Sequence, residues 1–66
     1  ASEVLRMTIE DVLARIPEPH QEVVRLRIDG FEIGEISSRV SISRRSVERI
    51  LQSFRKRLQK SLNLND

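Results

Sequence analysis

The chain has 66 residues, with 12 lysines and arginines against 10 acids for a net charge of +2, one histidine and no cysteine. That length makes one domain with a thin core, and it leaves little room to enclose a catalytic cavity. Without cysteine there is no disulfide framework or cysteine-ligated zinc, a lone His20 cannot assemble a metal site, and neither a membrane span nor a signal peptide is present, so a cytoplasmic protein without metal or cofactor is expected.

The first clear periodicity is in TIEDVLARI, where Ile9, Val12, Leu13 and Ile16 recur at helical spacing. Thr8 with Asp11 resembles an N-terminal capping pair, which predicts a short helix from about Ile9 to Arg15. Residues 1–7 carry no strong cap and are expected to be a frayed segment or linker. Pro17 and Pro19 end this helix and suit the first turn of the next, which runs through PEPHQEVVRLRIDG. Val23, Val24, Leu26 and Ile28 give that second helix an apolar face, Glu18 and Glu22 complement its positive end, and Gly30 stands where a C-terminal stop is expected.

A third helix of about two turns follows Phe31, with Ile33, Ile36 and Val40 on one face, before the turn Ser41-Ile42-Ser43. Ser43 suits an N-cap, since its hydroxyl can accept the free amide of a residue two or three positions on. The fourth helix is the longest, because Val47, Ile50, Leu51, Phe54, Leu58 and Leu62 form one stripe from Arg44 to about Ser61. The fold expected is therefore all-α, four helices in a domain over residues 8–62, with a long last helix and a flexible tail at 63–66.

Two helices joined by a short turn, the second long and basic, meet the geometric requirement of a helix-turn-helix. Its packing requirement is met by Ile36, small Ser37, Val40, small Ser41, Ile42, Val47 and Ile50 in that order, with Phe54 extending the core. Alanine is preferred where Ser37 stands, and glycine where Ser41 stands, because glycine takes the left-handed turn conformation best. Charge points the same way: residues 1–38 hold four arginines and eight acids, whereas residues 39–66 hold eight basic side chains and two acids. A basic half opposite an acidic one attracts a polyanion in one orientation.

Once the apolar stripe is buried, the exposed positions at the start of the fourth helix are Arg44, Arg45, Glu48, Arg49 and Gln52, adjoining Ser43. Arginine bonds two acceptors on guanine, glutamate accepts from cytosine and glutamine addresses adenine, so this face suits base edges in a major groove. Arg39, Arg55, Lys56, Arg57 and Lys60 lie outside that face and are candidates for phosphate or protein contact, with plain solvation and weak phosphate steering the first expectation for the group at 55–60.

The phrases VVRLRIDG, Glu35-Ile36 and Ser43-Arg44, taken within Ile16 to Leu62, resemble region 4 of bacterial RNA polymerase sigma factors, particularly the extracytoplasmic-function type. In that family the second phrase lies at the centre of a helix and the third opens the recognition helix. The resemblance implies reading of the upstream promoter element near minus thirty-five in double-stranded DNA, with base contacts at Arg44, Arg45, Glu48 and Arg49. It also implies a concave apolar side that holds the flap helix of the polymerase beta subunit, an anti-sigma factor as a further partner, and a monomeric domain excised from a longer protein.

The same phrases resemble, less closely, the DNA-binding domains of response regulators and quorum-sensing regulators, whose recognition helix is separate from the last one. The unbroken stripe from Val47 to Leu62 favours one long helix instead. A helical interaction module that ignores DNA has no need of three arginines at a helix N-terminus, where the dipole disfavours cations. The acid pairs Glu10-Asp11 and Glu32 with Glu35 fit capping and solubility better than catalysis, and no enzyme is expected.

Overall fold

A computed structural model describes residues 2–62, and its regular structure is four helices: α1 (Ser2–Leu13), α2 (Glu18–Ile28), α3 (Ile33–Val40) and α4 (Arg44–Leu62). The expected tail at 63–66 lies outside the described residues.

Helix α1 starts well before Ile9. Glu3 stands in its first turn, where the helix dipole favours a negative charge, and Leu5, Arg6 and Met7 are straight-chain helix formers. Thr8 is not a cap: its hydroxyl donates back to the Val4 carbonyl at 2.9 Å from inside the helix, and Asp11 instead pairs with Arg15 at 3.3 Å. The segment expected to fray is thus helical from Ser2 onward, although Val4 and Met7 are 62% and 64% exposed. At its other end the helix stops at Leu13 rather than Arg15. The amides of Arg15 and Ile16 turn to the carbonyls of Val12 and Leu13 at 3.0 and 3.2 Å, a tightened last turn forced by Pro17 close behind.

Helix α2 ends as its glycine requires. Gly30 has φ +104°, Phe31 N–H donates to the Leu26 carbonyl at 3.1 Å, and Gly30 N–H donates to that of Arg27 at 3.0 Å. These are the two bonds of a Schellman motif, and Phe31 completes it by packing on the cluster that contains Leu26. Ile28, expected on the apolar face, is 57% exposed instead, because it falls beyond the arc that meets α3 and α4. Helix α3 opens on Glu32, whose amide donates to Glu35 Oε1 at 2.9 Å. Glu35 therefore stands in the first turn, not at the helix centre, and its work is capping.

Helix α4 packs against each of the other three. Its 19 residues make a rod of about 28 Å at 1.5 Å per residue, most of the 34 Å length of the domain. Two apolar clusters share it. Val12, Leu13, Val24 and Phe54 form one, with α1 on its outer side. Val23, Leu26, Ile36 and Val47 form the other, against which Val40, Ile42 and Ile50 pack while still partly exposed. Of the residues expected in a single helix-turn-helix core, Phe54 therefore belongs to the α1 cluster, since two turns of α4 carry it past the end of α3. Leu51 packs against both.

Candidate nucleic-acid interface

The turn that aims α4 is built from three serines. Ser41 closes α3 in the left-handed conformation, φ 57° and ψ 40°, where glycine is the usual occupant. Ser37 reaches across it: its carbonyl accepts the amides of Ser41 and, at 3.3 Å, Ile42, and its hydroxyl donates to the Ile42 carbonyl. Ser43 then starts α4, with its Oγ accepting the Ser46 amide at 3.2 Å and donating to the Ser46 hydroxyl at 3.1 Å.

With α4 fixed in this way, its side chains sort by angle at about 100° per residue. Val47 and Phe54 are buried. On the opposite side Arg45, Arg49 and Gln52 fall within an arc of about 60°, flanked by Glu48, and all four are exposed. Arg44 is also exposed but turns away from them. Its guanidinium lies on Gly34 of α3, so close that a Cβ added there would stand 3.0 Å from Nη2. The five side chains read as one face in the sequence are thus four on a stripe and one on its edge, lodged against α3. Ser43, the sixth position, has its hydroxyl engaged in the cap.

The outlying cations separate as well. Arg39 stacks on the Phe31 ring, 4.4 Å from its centroid, which fixes the guanidinium on the surface of α3. Lys56 continues the stripe of Arg45 and Arg49 a further two turns along. Arg57 and Lys60 stand on another flank, where with Val12, Arg15 and Ser61 they line a depression of about 290 Å³. Arg55 borders a groove of about 180 Å³ floored by Val24, Ile28, Leu51, Phe54 and Leu58, with Arg27 on its opposite rim. Arg27 is held in place by its bond to the Phe31 carbonyl at 2.9 Å and by Glu32 at 3.7 Å.

Three contributors escaped the sequence reading: the Ser37 hydroxyl, the space at Gly34 and the exposed Ile28 in the groove. Small residues at 34 and 37 signal close packing, but nothing in their spacing tells which atom fills the space. Among the described residues no group of three or more His, Cys, Asp or Glu side chains is placed to hold a metal ion, and no helix is long and apolar enough to cross a membrane.

A short helix, a tight turn and a long helix exposing Arg45, Glu48, Arg49 and Gln52 opposite its buried stripe have the geometry of a helix-turn-helix. Neither the curated proteins nor the solved structures searched give a match. The family model for sigma-70, region 4 matches residues 6–58, and the chain belongs to this family of helix-turn-helix DNA-binding domains of transcription initiation.

Proposed function

We propose that this domain reads the upstream promoter element, near minus thirty-five, as the C-terminal domain of an extracytoplasmic-function-type sigma factor working beside RNA polymerase in the bacterial cytoplasm. The observation that carries this reading is the stripe of Arg45, Glu48, Arg49 and Gln52, exposed at the start of a helix whose opposite side is buried. Arg45 and Arg49 have the two-donor fork that guanine O6 and N7 accept, Gln52 suits adenine, and Glu48 suits the cytosine amino group. Arg44 serves the edge of the same surface, and Lys56 lies where phosphate contact follows from tracking the groove.

The second surface of the proposal is the apolar groove between Arg27 and Arg55. An exposed Ile28 beside a groove floored by Leu51, Phe54 and Leu58 suits the apolar side of a partner helix, and the flap helix of the polymerase beta subunit is the occupant the family implies. An anti-sigma factor would compete for this groove. The unbroken course of α4 from Arg44 to Leu62 favours a sigma domain over a response-regulator domain.

The test is an NMR titration of the labelled domain with a duplex carrying a GAAC-type element and a scrambled one, at two salt concentrations. Shifts centred on residues 43–52, larger for the promoter duplex and weakened by salt, are expected. Arg49→Ala should cost about 1 to 3 kcal/mol of specific binding with the helical spectrum unchanged. Absence of salt-sensitive shifts with either duplex would move the function to the groove alone, as a protein-interaction module.

A further inference from the structure

Ser37 of α3 bonds to the turn through both its carbonyl and its hydroxyl. Its carbonyl accepts the Ser41 and Ile42 amides and its hydroxyl donates to the Ile42 carbonyl, so Ile42 is gripped at both of its peptide groups. The second of these is the Ile42–Ser43 peptide plane, and Ser43 is the cap on which α4 begins. Among the described residues no other side chain of α3 hydrogen-bonds to the turn.

The reason such a grip is needed stands four residues on. Ser41 holds φ 57°, where a β-carbon meets the following carbonyl and the chain tends to relax toward ordinary angles. Relaxation at that residue swings α4 about its own start. Gln52 lies nine residues from Ser43, about 13 Å along the axis, so a tilt of about 10° displaces it by roughly 2 Å. Hydrogen bonds to base edges do not survive that displacement, whereas contacts made by long cationic side chains with phosphate follow it.

From this we infer that Ser37 is a positioning residue for sequence recognition, coupled to Ser41. Its hydroxyl holds the strained turn that a glycine at 41 would hold unaided, and it thereby keeps the recognition stripe in register with the bases. The inference rests on the proposal that α4 reads DNA. It explains why the two positions depart together from the alanine and glycine a helix-turn-helix prefers: each serine is tolerable because of the other.

The experiment compares the parent chain with Ser37→Ala, Ser41→Gly and the double variant, by fluorescence anisotropy with the promoter duplex and the scrambled duplex. Alanine is a better helix former than serine, so the Ser37→Ala variant folds. It should lose about fivefold in preference for the promoter duplex, the weight of one hydrogen bond, while its affinity for the scrambled duplex holds. Ser41→Gly should keep the preference, and the double variant should regain it to within about twofold, because glycine no longer needs the hydroxyl. Equal loss on both duplexes, no loss, or a double variant as poor as Ser37→Ala would each overturn the proposal.

Amide exchange separates this outcome from failure of the DNA reading. If the parent chain prefers neither duplex, base reading falls. The coupled pair is then decided by the Ile42 amide, which should exchange about fivefold faster in Ser37→Ala and return to the parent rate in the double variant. An unchanged rate would overturn the pair as well.

Discussion

The half of the domain built from α3, the turn and the start of α4 is held in a different way from the half built from α1 and the end of α4. In the first, side chains bond to backbone at each junction: Glu35 to the Glu32 amide, Arg27 to the Phe31 carbonyl, Ser37 to the Ile42 carbonyl, Ser43 to the Ser46 amide. In the second, α1 is held by Val12, Leu13 and their apolar neighbours, helped by an exposed pairing of Glu10 with Arg25 at 3.7 Å and by the Gln21 side-chain amide, which donates to the Ile16 carbonyl at 3.0 Å behind the helix. Apolar burial is non-directional and hydrogen bonds are not. The half proposed to present side chains at a fixed angle carries more of the directional bonds, and the half that keeps α4 covered relies more on apolar burial.

The largest effects test whether the two halves stand or fall together. Phe54→Ala removes the ring from the α1 cluster, and Ile36→Ala empties a fully buried site in the other. The expected losses are about 3 to 5 and 2 to 5 kcal/mol, comparable with the whole stability of a small domain, about 5 kcal/mol or slightly more. Because Leu51 packs against both clusters, either variant should lose helicity by circular dichroism across the whole domain, with whatever folded fraction remains melting in a single urea transition at low denaturant. A biphasic curve in Phe54→Ala, with the α3–α4 part melting later, would show that the halves are separate units.

A smaller effect isolates the backbone from packing. A Cβ on Gly30 would meet nothing within 4 Å, yet the residue sits at φ +104°, so Gly30→Ala should cost about 1 to 2 kcal/mol through conformation alone. The measurement is the thermal midpoint, expected to fall by roughly 4 to 8 °C for each kcal/mol in a domain of this size. No change would mean that the Schellman turn survives by shifting its angles. The smallest effect belongs to the α1 surface. Asp11→Ala breaks an ion pair whose side chains are 61% and 68% exposed, and it should alter stability by about 0.5 kcal/mol or less. A larger loss would mean that the α1 half relies on polar bonds after all.

The sequence makes α2, α3 and α4 legible because their ends are punctuated by Pro17 and Pro19, Gly30, Ser41 and Ser43, residues whose backbone or side-chain chemistry acts locally. The start of α1 is illegible for the opposite reason: no capping residue marks it, and Thr8, which looks like one, spends its hydroxyl on the Val4 carbonyl. For the candidate site, the stripe of Arg45, Arg49 and Gln52 follows from helical period once the buried face is known. The deflection of Arg44 does not, because it depends on a missing side chain at Gly34, ten positions away in the chain. Nor does the work of Ser37. Its size fits the crossing of two helices, and only the turn's geometry brings a carbonyl within reach of its hydroxyl.

The unbroken course of α4 has a consequence for how its two surfaces relate. Arg49 belongs to the stripe proposed to face DNA, and Leu58 to the groove proposed to face a protein, and they share one rod without glycine or proline between them. Their separation is therefore a phase as well as a length. One residue inserted between them would turn Leu58 by about 100°, away from Val24 and Ile28 of α2, so the groove would be lost and not merely re-aimed. Helical pitch, with no linker to tune, sets the angle between whatever the domain grips and whatever it reads.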